Sequence, residues 1–350
     1  MIGRRAEPGE VQTVLGPADP ATLGLVLPHE HILCDVTPPD VRAAAGGVET
    51  PITLENVHDV RYHWIRHYGN HVLDDVATAV NEVARFREAG GGTIVDVTIA
   101  GIRPQPAGLA EVARRTSVNI VAGTGYYIES FAGALISGRS VESLAADLIA
   151  SFDAGFEGSG VRPGIVGEIG VSDPWSTSER RVMSAAVLTQ QEVGAAITVH
   201  PGRDPGSPLA VVRHVAACGG DTTRLIIGHL DRTLFTYDEV ARLLDEGCVG
   251  EWDFFGIESS YYPFADIDLP NDGQRLNLIK RLVTAGYGDR ILISQDICTK
   301  TRLVRWGGHG YAHLPAAVIP MMRRKGFAEA DIERITRQTP ARLLTLKAPG

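Results

Sequence analysis

The sequence contains few cysteines, and none of them are paired in a motif. Its 350 residues include four cysteines, Cys34, Cys218, Cys248 and Cys298, and no two of them form a C-x-x-C pattern. This spacing argues against a disulfide framework and against a thiolate zinc site. We therefore expect a reducing, cytoplasmic environment for the protein.

Long apolar runs and an excess of positive charge are also missing. No stretch approaches the roughly 20 apolar residues that span a bilayer, and MIGRRAEPGE lacks the apolar core of a signal peptide. The formal net charge is −9, whereas nucleic-acid binding relies on clustered Lys and Arg. We expect a small-molecule substrate, neither a nucleic acid nor a membrane as partner, and a homodimer as a possible assembly.

Apolar material is ample and occurs in a repeating order. Hydrophobic residues make up 44% of the sequence and charged residues 21%, as in ordinary globular proteins. Eight apolar, β-rich runs alternate with amphipathic segments, which is typical of a parallel sheet covered by helices. The runs cover residues 25–33, 93–99, 119–126, 164–171, 196–200, 224–229, 247–252 and 290–296. The chain length suits a single α/β barrel, although alternation alone leaves an open, doubly wound sheet possible.

We predict one domain over residues 1–350, because no linker rich in Pro, Gly or Ser divides the chain. Residues 1–24 form an N-terminal segment, and residues 38–70 are expected to pass over the barrel mouth with a helix of their own. Predicted helices cover residues 74–89, 141–156, 178–193, 208–217, 237–246 and 331–346, the last interrupted at Pro340. His63, His67 and His71 have helical spacing, and we expect them on a solvated face rather than at a metal.

Side chains suited to metal ions stand at the ends of several apolar runs. His29 and His31 are two residues apart in LVLPHEHIL, so both imidazoles project from the same face of a strand. An isolated H-x-H is as often a pair of hydrogen-bonded core histidines. However, His200 in TVHPG, His229 in LIIGHLD and Asp296 in ILISQD also follow apolar runs directly.

Glu168 in GIVGEIGV is an acidic residue inside an apolar run, where an unpaired carboxylate is costly to bury and a cation compensates it. The carboxyl ends of barrel strands meet at one face, so residues distant in sequence become neighbours there. Four histidines and two carboxylates suit two divalent ions. This mixed donor set fits Zn²⁺ best, with Mn²⁺, Fe²⁺ or Co²⁺ possible.

These motifs resemble the phosphotriesterase family of the amidohydrolase superfamily, and most closely its phosphotriesterase-related branch. The similarity runs nearly end to end, through VQTVLGPADPATLGLVLPHEH, GIVGEIGVSDPWSTSER, HPGR, IGHLDRT and DICTKTRLVRWGGHGYAH. It implies a TIM (β/α)8 barrel with a binuclear metal centre. The metal ligands that it implies are His29, His31 and Asp296 for the more buried ion, His200 and His229 for the more exposed ion, and Glu168 as a bridge between both. Phosphotriesterases proper use a carboxylated lysine as the bridge, so Glu168 argues against efficient organophosphate hydrolysis as the native role.

The resemblance also implies a metal-dependent hydrolase. We expect a metal-bridging hydroxide to attack the substrate, with Asp296 accepting its proton and passing it to the leaving group. The phosphotriesterase-related branch is similar to enzymes that hydrolyse N-acetyltaurine and related N-acyl amino acids, so an amide carbonyl is the expected target. The alternative is a lactonase or carboxylic ester hydrolase with weak phosphotriesterase activity. A non-catalytic metal-binding barrel is the least favoured interpretation.

Substrate contacts are harder to choose from the sequence. An acidic product calls for a cation near the metals, and Arg232, Lys300 and Arg302 are the nearest to the ligands in sequence, although such residues often form only solvated ion pairs. Tyr126 and Trp252, at the ends of the third and seventh strands, either line the pocket or belong to the core. The sequence leaves three further residues without an assigned role: His309, His313 and Cys298.

Overall fold

The computed structural model describes residues 4–46, 51–63, 67–260 and 262–349. The strands are β1 (Val11–Thr13), β2 (Gly16–Ala18), β3 (Leu25–Glu30), β4 (Cys34–Asp35), β5 (Val72–Leu73), β6 (Gly91–Asp96), β7 (Asn119–Thr124), β8 (Ile165–Gly170), β9 (Ile197–His200), β10 (Leu225–Ile227), β11 (Val249–Trp252) and β12 (Ile291–Ile293). The helices are α1 (Pro39–Ala45), α2 (Val57–Tyr62), α3 (Val76–Glu88), α4 (Pro106–Thr116), α5 (Glu129–Ile136), α6 (Val141–Ala154), α7 (Thr177–Val193), α8 (Ser207–Ala217), α9 (Tyr237–Leu244), α10 (Asp272–Thr284), α11 (Ile319–Arg324), α12 (Glu329–Glu333) and α13 (Thr339–Leu344).

Eight parallel strands form a nearly closed barrel. Their order is β12-β11-β10-β9-β8-β7-β6-β3, and each neighbouring pair is hydrogen-bonded. The gap between β3 and β12 is bridged by backbone bonds, in which Asp296 N donates to His29 O and His31 N donates to Ile297 O, both at 3.2 Å. The prediction of a TIM (β/α)8 barrel is therefore confirmed, and the open doubly wound sheet is excluded.

The strands end earlier than the apolar runs suggested. β10 ends at Ile227 and β12 at Ile293, whereas the runs were predicted to continue to His229 and Asp296. His229 and Asp296 have φ angles of 55° and 47°, in the left-handed region, which interrupts the extended backbone. Both side chains therefore lie just beyond the strand ends, on the turns that lead into the loops.

Burial divides each strand into two faces. On β7, Val121 packs in the barrel interior and its neighbour Ile120 packs against the surrounding helices. On β11, Val249 packs in the interior and Trp252 packs against the helices. Strands buried on both faces explain why the runs show no polar alternation. Position along a strand therefore decides whether a side chain at its end faces the barrel mouth or the helical layer.

The helices predicted from the sequence are present, except that the tail differs, and α4, α5 and α10 are additional helices. α7 begins with a capping box in which Ser176 Oγ accepts the N–H of Glu179. The tail is not interrupted at Pro340 as predicted. Residues Arg334–Gln338 form a π-helical segment that joins α12 to α13, and the wider turn accommodates the proline ring near the start of α13.

The segment between β4 and β5 contains α1, α2 and a short 3-10 helix, Tyr68–His71. His71 is fully buried there, so the prediction of a solvated face was wrong for this residue. Residues 47–50 and 64–66, which belong to the same predicted excursion, lie outside the described residues. Among the helices that are described, none combines the length and apolar character needed to cross a bilayer.

Candidate metal centre

Four buried imidazoles converge on one carboxylate at the carboxyl ends of the barrel strands. The carboxylate belongs to Glu168 on β8, and its oxygens lie 3.4 Å from His29 Nε2, 3.2 Å from His31 Nε2, 3.1 Å from His200 Nδ1 and 3.4 Å from His229 Nε2. Asp296 Oδ1 lies 3.4 Å from His31 Nε2 at the edge of this group. The structure thus brings together all the residues that the sequence singled out as metal ligands.

The ring nitrogens on the far side of three imidazoles are held by hydrogen bonds. His31 Nδ1 contacts Thr98 Oγ1 at 2.9 Å, His29 Nδ1 contacts Glu251 Oε2 at 3.1 Å, and His229 Nδ1 contacts Asp253 Oδ1 at 2.8 Å. With a proton on each Nδ1, the Nε2 atoms present lone pairs to the centre of the cluster. Within the described part of the chain, the buried Nε2 of His29 has no hydrogen-bond partner. This arrangement fits metal coordination.

Two groups of ligand atoms share Glu168. In one group Glu168 stands with His29 and His31, and in the other with His200 and His229. Within each group the ligand atoms lie within 4.8 Å of one another. A third group of three residues joins His29 and His229 to Asp253. However, Asp253 contacts the Nδ1 atom of His229, on the outer side of the cluster, and not the Nε2 atom that faces Glu168. The donor set therefore fits two cations with one carboxylate between them.

The electrostatics of the cluster favour added positive charge. Burial lowers the pKa of His31, but hydrogen bonds to Asp296 and Glu168 outweigh it and raise that pKa to about 9. Burial raises the pKa of Glu168, yet the charge of His29 and contacts with the other imidazoles hold it well below its ordinary value. Burial and the proximity of His229 lower the pKa of His200, which keeps this imidazole neutral. Divalent cations meet the same demand for positive charge, and neutral imidazole is the form that binds them.

The sequence analysis did not select two carboxylates that contact the cluster, Glu251 and Asp253. Both lie at the end of β11 in GEWDFF, on the inward-facing side, and neither is exposed to solvent. The signal that selected Glu168, an acidic residue within an apolar strand, is also present here. Instead, Trp252, which lies between them and faces the helical layer, was predicted to contact the substrate.

Asp253 is expected to be a strong positioning residue. Its Oδ1 accepts the His229 Nδ1–H and its Oδ2 accepts the His229 backbone N–H, both at 2.8 Å. Replacing Asp253 with Asn removes one acceptor and leaves the ring free to rotate. We expect metal affinity or kcat/KM to fall about 10- to 100-fold. Metal titration and steady-state kinetics measure this, with the exposed Asp245→Asn as a matched control; equal effects of the two variants would contradict the positioning role.

The two predicted aromatic contacts lie away from the cluster. Trp252 is 1% exposed and packs in the core between the barrel and the helices. Tyr126 also faces outward, and its hydroxyl donates to Asp147 Oδ2 at 2.9 Å. The next residue, Tyr127, faces inward with its hydroxyl 3.2 Å from His200 Nδ1. The sequence offered two adjacent tyrosines, and strand alternation, once the register is known, selects the second.

The three candidate cations have different positions. Arg232 is buried, lies with Nη2 3.2 Å from His200 Nε2, and donates to Pro201 O at 2.9 Å. Lys300 lies near the Trp306 ring, with Nζ 5.8 Å from its centroid. Arg302 Nη1 lies 3.5 Å from Asp296 Oδ2. Only the last of these three faces a cavity large enough for a substrate.

This cavity has a volume of about 560 Å³, and two of its lining residues, Phe254 and Arg302, contact His229 and Asp296 of the cluster. Its walls include the cations Arg61 and Arg302 and the apolar side chains of Phe254, Tyr262 and Leu269. The ring of Phe254 lies 5.3 Å from the ring of His229, centroid to centroid. A molecule in the cavity is therefore close to both the histidines and Asp296.

The remaining residues without an assigned role have defined positions. His309 lines the cavity, and His313 Nε2 lies 2.7 Å from Asp272 Oδ2 behind it. Cys298 is buried, and burial raises the pKa of its thiol well above the ordinary value. The thiol therefore stays protonated, which argues against a nucleophilic role.

A (β/α)8 barrel with a buried histidine and carboxylate cluster at its carboxyl face is the architecture of a metal-dependent hydrolase. The sequence profile of the Phosphotriesterase family matches residues 9–344. The chain belongs to this family, whose proteins use a binuclear divalent metal centre. It therefore acts on a small-molecule substrate, and the prediction of a metal-dependent hydrolase is confirmed.

Relatives match over nearly the whole chain. The chain is 37% identical to N-acetyltaurine hydrolase of Rattus norvegicus over 346 residues, covering 97% of this chain and 99% of the rat protein. A resiniferatoxin-binding protein from Rhodobacter sphaeroides superposes with a TM-score of 0.90 at 30% identity, covering 97% of this chain and 96% of that one. The phosphotriesterase homology protein from Escherichia coli, complexed with phosphate in its active site, superposes with a TM-score of 0.77 at 26% identity. The match covers 92% of this chain and 99% of that protein.

Proposed function

We propose that this protein hydrolyses the amide bond of N-acetyltaurine or of a related N-acyl amino acid. The observation that carries the proposal is the convergence of four oriented imidazoles on Glu168. The substrate class comes from the full-length relatives, which are named N-acetyltaurine hydrolase at 33% to 37% identity. The acidic group of such substrates also suits a cavity that contains arginine side chains.

The residues proposed to hold two divalent cations are His29, His31, Glu168, His200, His229 and Asp296. Among divalent metals, Zn²⁺ suits this mixture of imidazole nitrogen and carboxylate oxygen. When bound, the cations supply a Lewis acid and lower the pKa of water toward about 7. The shared position of Glu168 supports its role as the bridging ligand.

The chain's own residues orient the groups and move the proton. Burial raises the pKa of Asp296, but His31 and Arg302 outweigh it and hold this carboxylate in its ionised form. Asp296 contacts Arg302, which lines the cavity, and in the proposed reaction it accepts a proton from attacking water and returns it to the leaving amine. Thr98, Glu251 and Asp253 fix the imidazole tautomers from behind.

A substrate panel tests the proposed function. We expect the metal-loaded enzyme to hydrolyse N-acetyltaurine with kcat/KM at least about tenfold above its value for a lactone or for a paraoxon-like triester. The triester should be a poor substrate because Glu168 stands where phosphotriesterases have a lysine-derived bridge. Amine release and chromogenic assays give the rates. Faster lactone or ester turnover would favour the alternative of a lactonase or carboxylic ester hydrolase, and no turnover with bound metal would favour a non-catalytic barrel.

We also propose a cytoplasmic location, because all four cysteines of the structure are free. The possible homodimer and the organisation of residues 1–350 as one domain stay predictions.

A further inference from the structure

One side of the cavity carries positive charge, although the protein as a whole has a formal net charge of −9. Among the lining residues are the guanidinium groups of Arg61 and Arg302 and the carboxylate of Glu258, and Arg302 is paired with Asp296. The Oε1 atom of Glu258 accepts the backbone N–H of Asp272 at 3.0 Å, so this carboxylate is partly satisfied by the protein. The guanidinium of Arg61 on the wall of a substrate cavity indicates an anionic ligand group.

Arg61 comes from α2 and reaches the cavity from outside the barrel. Its Nη2 donates to the carbonyl oxygen of Gly307 at 2.8 Å, which fixes the guanidinium on the cavity wall. Within the residues that the structure describes, no carboxylate oxygen is paired with Arg61, so its charge is not neutralised by an ion pair. The donors that the carbonyl leaves unused are available to an anion, and a guanidinium matches the planar geometry of carboxylate and sulfonate oxygens.

Arg302 lies deeper, between the cavity and the cluster. Its Nη1 contacts Asp296 Oδ2 at 3.5 Å, and its guanidinium carbon lies 6.0 Å from the centroid of the Phe254 ring. Both arginines also act on His309. Burial, together with His313 and then Arg302 and Arg61, lowers the pKa of His309 to about 3, so it lines the cavity as a neutral ring. Arg61 donates to Gly307 O, and Gly310 N in the same loop donates to Arg302 O at 2.9 Å, so the two arginines border the same part of the cavity.

We propose that Arg61 and Arg302 form a subsite for the sulfonate or carboxylate on the amine portion of the substrate, and that this subsite makes the enzyme select anionic amides. The inference rests on the proposed amide hydrolysis. The acyl portion lies toward the apolar cluster of Phe254, Tyr262 and Leu269, which adjoins Arg302 at the Phe254 ring. Of the two arginines, Arg61 is the better probe because it contacts no proposed metal ligand.

The test compares three amides that share the N-acetyl and two-carbon amine unit: N-acetyltaurine, N-acetyl-β-alanine and N-ethylacetamide, which lacks the anionic group. The preference for N-acetyltaurine over N-ethylacetamide is measured as the ratio of their kcat/KM values. We expect Arg61→Gln to lower this ratio by about 10- to 100-fold, because a charge-assisted hydrogen bond is lost. The loss should appear mainly in KM, and Arg61→Lys should restore part of it. The carboxylate arm shows whether the subsite favours sulfonate or accepts both anions.

Arg305→Gln is the matched control, since Arg305 lies on the neighbouring loop, donates to Thr78 and does not line this cavity. An unchanged preference ratio in Arg61→Gln, or an equal change in Arg305→Gln, would overturn the subsite. Calorimetric binding of the product taurine provides a readout that does not need turnover, and Arg61→Gln should weaken it by a similar factor. If the wild type cleaves no amide, the proposed function fails, while taurine binding still decides the subsite.

Discussion

Replacing Glu168 with Gln is expected to lower kcat/KM for N-acetyltaurine by at least about 10³-fold and to reduce the metal content of the purified protein. The amide is nearly the same size as the carboxylate but has no charge, and its NH₂ group cannot accept or coordinate. Two cations would then lose their shared ligand. Metal-ion polarisation is worth several kcal/mol in such enzymes, and each 1.36 kcal/mol corresponds to a factor of ten in rate. Elemental mass spectrometry and steady-state kinetics measure the two effects.

Glu82→Gln is a matched control for the Glu168 substitution. Glu82 is also buried, at 2% exposure, and its two oxygens accept the backbone N–H groups of Val304 and Arg305 rather than contacting the cluster. We expect this variant to lose stability while keeping its metal. If Glu168→Gln retained both the wild-type metal content and wild-type turnover, the cluster could not be the catalytic metal centre.

The ligand positions were accessible from the sequence because polar side chains are costly to bury. A histidine or a carboxylate at the end of an apolar run costs free energy to bury unless a partner or a cation compensates it. The barrel fold brings such strand ends to one face. His200 and Glu168 were identified in this way from different strands. The resemblance to a known family then divided the ligands between two ions, which the apolar pattern alone did not provide.

Other contacts depended on register and loop path, which the sequence does not specify. Tyr126 and Tyr127 are adjacent just beyond the end of β7, and a single step along the chain there exchanges the helical layer for the barrel mouth. Arg232 contacts His200 and Pro201 O and does not line the cavity, whereas Arg61, distant from every ligand in sequence, does. Contacts made across long loops depend on how those loops fold over the barrel.

The same limit explains why the support of Asp296 was not predicted. Glu30 stands between two proposed ligands in the sequence and is directed away from them. Its oxygens accept the N–H groups of Gln295 and Ile297 at 2.9 and 2.8 Å, on either side of Asp296. These bonds hold the left-handed turn that presents Asp296, at a backbone conformation that costs energy for any residue with a side chain. The turn is thus stabilised by a residue more than 260 positions away.

Asp296→Asn tests the proton-transfer role separately from metal binding. The amide keeps an oxygen that can face the cluster, but it cannot accept and release a proton, so we expect kcat for N-acetyltaurine to fall about 10²- to 10⁴-fold with most metal retained. The loss should be smaller for p-nitrophenyl acetate, whose leaving group departs without protonation, whereas an amine must be protonated. Activity within about tenfold of wild type on the amide, or equal losses on both substrates, would remove Asp296 as the proton donor. A variant that instead loses metal as Glu168→Gln does would show that Asp296 acts mainly as a ligand, because a pure proton carrier leaves the cations in place.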